Sequence, residues 1–153
     1  FKLNYSNFNL FEEVQKIKEQ FSSVAEKEQQ IIIVSDDQSC FISGDKDHIM
    51  QCIANLLDNA IKYSGSSVNI MISLQKSQNS LRLSVKDDGI GFDPQKTDFI
   101  FEKYTRLNNS ENSASGFGIG LSYVKAVIEK HAGTIEVEST VGKGSKFIIN
   151  LPV

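Results

Sequence analysis

Asp45-Lys46-Asp47-His48-Ile49-Met50-Gln51-Cys52-Ile53-Ala54-Asn55-Leu56-Leu57-Asp58-Asn59-Ala60-Ile61-Lys62-Tyr63 is the stretch on which the fold turns. At about 100° per residue, Ile49, Ile53, Leu56, Leu57 and Ala60 gather on one side. Asp45 is placed to cap its start and Ser64-Gly65 to end it, so the spacing predicts a helix from Asp45 to about Tyr63. Two alternating runs come next: Val68, Ile70, Ile72, Leu74, then Leu81, Leu83, Val85. The polar stretch Gln75 to Ser80 separates them, which predicts a β-hairpin. A one-faced helix beside a one-faced hairpin calls for two layers with the apolar faces together.

Working outward, Phe11, Val14, Ile17, Phe21 and Val24 recur at helical spacing and predict a helix from Leu10 to about Gln30. Ile31 to Val34 reads as a strand, and Cys40 to Ile42 as an edge strand. After Asp87 the texture is loop, with one short turn near Phe99 to Tyr104. Asn108 to Ser115 carries no large apolar residue to anchor it, so a mobile surface segment is expected there. A last helix starts near Gly118 to Gly120, with Leu121, Val124 and Ile128 on one stripe. Strands Thr134 to Glu138 and Lys146 to Leu151 close the chain. The expected class is α+β: a two-layer α/β sandwich, with a mixed, mainly antiparallel sheet of about five strands covered on one side by about three helices.

With 153 residues, 40% hydrophobic and 23% charged, the chain fits one ordinary globular domain. A net charge of −3 and the lack of a Lys/Arg cluster argue against nucleic acid as a partner. That charge leaves room for a phosphate ligand, which needs only a few cations and backbone N–H groups. No apolar run approaches the roughly 18 residues of a membrane span, so direct membrane contact is not expected. Cys52 lies in the helical apolar pattern and reads as a buried thiol. Cys40 adds little, and a reducing cytoplasm is the default. The chain begins at Phe1 without Met or a signal peptide, and is expected to be a piece of a longer protein.

Three segments carry chemistry. Asn55, Asn59 and Lys62 fall within about 60° of each other, opposite the apolar side of their helix. They are either a solvated polar face or a row of amide oxygens for a hard cation such as Mg²⁺, with an ammonium one turn on for phosphate. Alternation places Asp87 on the face of Leu81, Leu83 and Val85, where a carboxylate needs a donor such as an adenine amino group. Asp88 should then point into water, and Gly89 and Gly91 would let the backbone turn tightly. Taken alone, the segment is also an ordinary Asp-Gly turn. Gly116, Gly118 and Gly120 open the last helix, where backbone donors and the helix dipole point the same way. The spacing is neither a dinucleotide fingerprint nor a P-loop.

In order, Asn55-Leu56-Leu57-Asp58-Asn59-Ala60-Ile61-Lys62-Tyr63, Asp87-Asp88-Gly89-Ile90-Gly91, Ile100-Phe101-Glu102-Lys103-Tyr104-Thr105-Arg106 and Gly116-Phe117-Gly118-Ile119-Gly120-Leu121 resemble the N, G1, F and G2 boxes of the sensor histidine kinase catalytic domain. That domain belongs to the ATPase superfamily shared with gyrase, Hsp90 and MutL. The resemblance covers nearly the whole chain, including the Gly144-Ser145-Lys146-Phe147 to Leu151-Pro152 ending. It implies a Bergerat-type fold over 1–153 with a mobile ATP lid at Asn108 to Ser115, and ATP and Mg²⁺ as cofactors. Asn59 would be the Mg²⁺ ligand, with Asn55 holding metal waters and phosphate. Lys62 and Arg106 would reach the phosphates, and Tyr63 would lie near the nucleoside. Asp87 would read adenine, with Gly89, Gly91 and Ile100 around the base. Thr105 would shape the pocket, and Gly116, Gly118, Ile119, Gly120 and Leu121 would form the lid hinge and phosphate cradle.

The activity implied is transfer of the γ-phosphoryl group of ATP to a histidine on a separate helical dimerisation domain, with a response regulator receiver domain downstream, at the cytoplasmic end of a sensor. His48 and His131 lack a phosphoacceptor context and are expected to be structural or solvated. Without its dimerisation helices the piece should be monomeric. Alternatives are a serine-directed relative in the same superfamily and a nucleotide-dependent interaction module that transfers nothing.

Overall fold

The computed structural model describes residues 1–23, 28–65, 67–102 and 117–153. Among them the chain runs β1 (Ser6–Asn9), α1 (Leu10–Ser23), β2 (Glu28–Ser35), β3 (Phe41–Gly44), α2 (Lys46–Lys62), β4 (Ser67–Lys76) and β5 (Ser80–Asp87). A 3₁₀ turn (Pro94–Lys96) leads into the short α3 (Thr97–Ile100), followed by α4 (Phe117–Lys130), β6 (Thr134–Thr140) and β7 (Gly144–Pro152). The main sheet has the order β2-β4-β5-β7-β6; β2 is parallel to β4 and every other pair is antiparallel. The expected α+β sandwich is therefore present, with α1, α2 and α4 laid over one face.

Register decides which side chains meet the helices. Ile33, Ile72, Val85, Phe147 and Val137 lie across the sheet in one row, and Leu74, Leu83, Ile149 and Ile135 in the next. With Ile49, Ile53, Leu56 and Leu57 of α2 and Leu121, Val124, Val127 and Ile128 of α4, they form one core. Each such side chain contributes roughly 1.5–3 kcal/mol on burial, so a one-residue slip of any strand would carry a whole set to water. Asp87 ends the row of Ile31 and Ile70, on the core face, as the alternation predicts. The opposite face carries Ile32, Met71, Lys86, Lys146 and Glu138.

Two expectations need correction. The first helix does not reach Gln30: it is described over Leu10–Ser23, residues 24–27 with Val24 lie outside the described residues, and Glu28 to Gln30 are paired with Ser67 to Asn69 as the start of β2. Cys40 to Ile42 does not edge the main sheet. Phe41–Gly44 pairs instead with Ser6–Asn9 in a separate two-stranded ribbon, and β1 was not foreseen. Its sequence, Ser-Asn-Phe-Asn, has little strand preference of its own. Asn9 supplies the missing order: its Oδ1 accepts from Phe11 N–H at 3.1 Å and Cys40 N–H at 3.0 Å, starting α1 and fixing the ribbon together.

The Asp45 cap is present. Its side chain accepts from His48 N–H at 3.1 Å and from Asn4 N–H at 2.8 Å, and the Asn4 bond is the main cause that holds its carboxyl below the ordinary range. His131 is buried: its Nδ1 lies 2.8 Å from Val127 O and its Nε2 accepts from Asp45 N–H at 3.0 Å. His48 Nδ1 lies 2.5 Å from the Tyr123 hydroxyl. Both histidines are thus engaged in the fold. The two thiols are buried and free, and burial pushes Cys52 up to about 12. No described helix is long and apolar enough to cross a membrane.

Candidate functional site

Asp87 stands where β5 leaves the sheet. Its Oδ1 accepts from Gly89 N–H at 2.9 Å, and the Ser145 backbone also donates to its carboxyl. Burial is the larger influence and raises its pKa above the ordinary carboxylate value, with a smaller push from neighbouring Asp88. Asp88 points to solvent as expected, but it is tied there: Asn69 N–H and Nδ2 each donate to it at 2.8 Å. Those bonds hold its pKa down, so two adjacent carboxyls are pulled in opposite directions by their surroundings.

The turn beyond Asp87 is built for backbone proximity. Ile90 N–H donates to Tyr63 O at 3.0 Å, and Ile90 O accepts from Gly142 N–H at 2.7 Å, so the turn bridges the end of α2 and the β6–β7 connection. Gly91 has φ +65° and Gly144 φ +111°. A Cβ on Gly91 would lie 2.1 Å from Thr140 O, and one on Gly144 would lie 2.0 Å from Asp87 O. These glycines are therefore required by the packing of the turn itself.

Asn55, Asn59 and Lys62 are not one solvated face. Asn59 is only 7% exposed, and among the described residues its Nδ2 has no hydrogen-bond partner. A buried, unmet amide donor costs roughly 1–3 kcal/mol and is the kind of group that a ligand satisfies. Asn55 is held by Gln51 Nε2, which donates to its Oδ1 at 3.0 Å, and its Nδ2 makes a long 3.4 Å bond to Gly120 O. That contact joins α2 to the first turn of α4, bringing together two of the segments singled out in the sequence. Lys62 is exposed and pairs with Asp58 at 2.8 Å. Ile100 and Leu121 are buried, and Phe101 meets Phe147 edge-on with centroids 6.2 Å apart. Gly116, Lys103, Tyr104, Thr105, Arg106 and the expected lid lie outside the described residues, and Gly118 and Ile119 are placed only by their backbone in α4.

Residues 139, 144 and 145 belong to this end of the molecule, although the sequence reading gave them no role. An open cleft of about 380 Å³ beside Asp87 is lined by Ser139, Gly144 and Ser145, with Lys86, Glu138 and Lys146 from the face of the sheet away from the helices. Gly142-Lys143-Gly144-Ser145 is visible as a turn signal, but its meeting with Asp87 follows only from the pairing of β5 with β7.

A half-buried carboxyl, two backbone-tight glycine turns and an unmet buried amide thus lie together at one end of an α/β sandwich. Residues 44–153 match the family model described as histidine kinase-, DNA gyrase B- and HSP90-like ATPase, and the chain belongs to that family. It is 30% identical to the sensor histidine kinase YclK of Bacillus subtilis over 153 residues, covering 99% of this chain and 32% of that protein. It is 36% identical to the adaptive-response sensory kinase SasA of Microcystis aeruginosa over 156 residues, covering 100% of this chain and 40% of that one. The chain thus spans about a third of the length of these relatives. The catalytic domain of histidine kinase ThkA has the same fold, with a TM-score of 0.84, 24% identity and 97% of each chain covered. Full-length ShkA in complex with AMPPNP gives a TM-score of 0.85 at 23% identity, over 99% of this chain and 32% of that one.

Proposed function

We propose that this chain binds Mg-ATP between the Asp87 turn and the facing ends of α2 and α4, and donates the γ-phosphoryl group to a histidine on a separate helical dimerisation domain. The setting would be two-component signalling in the cytoplasm, with a response regulator receiver domain as the next acceptor. The observation that carries the reading is the half-buried Asp87 carboxyl, oriented by Gly89 and Ser145 at the end of the core-facing row. It offers an acceptor of fixed direction in a partly dry setting, which suits a base amino group.

Asn59 would supply an amide to the metal and phosphates, and its unmet Nδ2 marks that place as unfinished without a ligand. No group of three His, Cys, Asp or Glu gathers among the described residues. The amide oxygens of Asn55 and Asn59 would suit Mg²⁺, which takes few protein ligands. When bound, Mg²⁺ would neutralise charge on the β- and γ-oxygens. Asn55 would steady metal waters, and Lys62 would exchange Asp58 for phosphate. Arg106 is proposed as the second phosphate cation. Both ring nitrogens of His131 are engaged within the fold and His48 Nδ1 lies 2.5 Å from the Tyr123 hydroxyl, which supports an acceptor on another domain.

Calorimetric titration of ADP with Mg²⁺ into the wild-type chain and Asp87→Asn tests the pocket. The expected result is saturable binding that falls at least about a hundredfold in the variant, because an amide presents a donor where the base needs an acceptor. Binding that ignores the substitution would move the base elsewhere. Incubation with ATP and a histidine-bearing helical domain should then yield acid-labile phosphate. Nucleotide binding without that product would leave an interaction module.

A further inference from the structure

Ser139, on β6, has no part in the chemistry above, yet its hydroxyl reaches three groups. It accepts from Phe92 N–H at 2.8 Å, donates to Gly144 O at 3.1 Å and lies 2.9 Å from Ser145 Oγ. A hydroxyl has one hydrogen and two lone pairs, so all three contacts can coexist: the hydrogen on Gly144, one lone pair for Phe92 and one for the Ser145 hydroxyl. Phe92 directly follows the tight turn at Gly91. Gly144 touches the Asp87 carbonyl closely enough to exclude a Cβ, and the Ser145 backbone bonds the Asp87 carboxyl. The backbone ladder between β6 and β7 runs from Thr134 to Thr140 without this hydroxyl, so the strands do not depend on it for pairing.

We propose that Ser139 is a positioning residue for nucleotide binding, clamping the Asp87–Phe92 turn to Gly144 and Ser145 and so holding the Asp87 carboxylate in the direction that receives the base. The proposal rests on the assignment of Asp87 to the base. Without the hydroxyl, the Phe92 N–H loses its acceptor and Ser145 loses its side-chain partner. The turn can then drift relative to the hairpin that orients the carboxylate. A threonine keeps the hydroxyl and suits a strand, whereas alanine keeps only the Cβ.

The test is calorimetric titration of ADP with Mg²⁺ into wild type, Ser139→Ala and Ser139→Thr, with Asp87→Asn as reference. Amide exchange of Phe92 and of the β6–β7 ladder is followed in parallel by NMR. Expected are about tenfold weaker ADP binding in the alanine variant, in proportion to one net hydrogen bond, and faster Phe92 exchange with the ladder unchanged. Threonine should restore both to near wild type. Wild-type affinity in Ser139→Ala, alongside weak binding in Asp87→Asn, overturns the proposal and leaves the pocket assignment standing. Equal losses in both Ser139 variants, or a collapse of ladder protection in the alanine variant, overturn it as well, by making the residue a packing element. Binding that is absent in wild type or indifferent to Asp87 overturns the pocket assignment and this proposal together.

Discussion

The two ends of the candidate site differ in how far the fold completes them. Around Asp87 the polar groups are largely answered within the protein. Gly89 and Ser145 donate to the carboxyl, Asn69 holds Asp88, and Ser139 joins Phe92 to Gly144. At the facing ends of α2 and α4, Asn59 keeps a buried donor without a described partner and Asn55 reaches Gly120 only through a 3.4 Å bond. A rigid, pre-satisfied end suits recognition, because little ordering has to accompany binding. An end that a ligand completes suits the part of the site where charge is bound and later moved.

That contrast breaks most visibly at Gly144. Gly144→Ala puts a Cβ within 2.0 Å of the Asp87 carbonyl at φ +111°, and should cost about 3 kcal/mol or more of stability. Urea unfolding would read the loss directly, and a variant as stable as wild type would show that this end is softer than its geometry. Asn59→Ala should do the reverse. Removing an unmet buried amide leaves stability within about 1 kcal/mol of wild type, while Mg-ADP affinity falls roughly thirtyfold and metal-free binding changes less. Paired calorimetry with and without Mg²⁺ checks this, and equal losses under both conditions would remove Asn59 from the metal.

The smallest expected effect is in pH. Burial raises the Asp87 pKa in the folded state, so the fold disfavours its charged form. Relative to Asp87→Asn, wild-type stability should therefore decline as pH rises from the ordinary carboxylate range through the raised value, because the native state holds the proton longer than the unfolded chain. Asp45 and Asp88 run the other way: their lowered values give stability that is present above the ordinary range and lost on acidification. Nucleotide binding, which needs the Asp87 carboxylate as acceptor, should weaken on acidification at a pH above the ordinary carboxylate range. Stability and affinity profiles of the two proteins over the same pH series would show whether both trends share one group.

Most of the secondary structure was legible in the chain because its apolar residues keep strict periods. The α2 stripe, the β4–β5 alternation and the Asp45 cap were all readable, and each is where local pattern and burial agree. The Ser6–Asn9 strand was not, since its order comes from pairing with the distant Phe41–Gly44 and from the Asn9 side chain. Likewise Asn59 could be read as part of a polar face. Its burial depends on how α2 sits in the fold, which no period along α2 can encode.

The sequence alone determined the alternation of layers, the core-facing position of Asp87 and the order of the motif segments, because these depend on residue type and spacing along one element. The tertiary structure alone decided that Gly144 and Ser145 meet Asp87 and that Ser139 ties them to Phe92, that Asp88 is held by Asn69, and that the Asn59 amide is buried with a donor unmet. Those facts depend on register between strands and on one element packing over another. A carboxyl acquires its pKa and its direction from groups that the chain brings beside it only when the sheet closes.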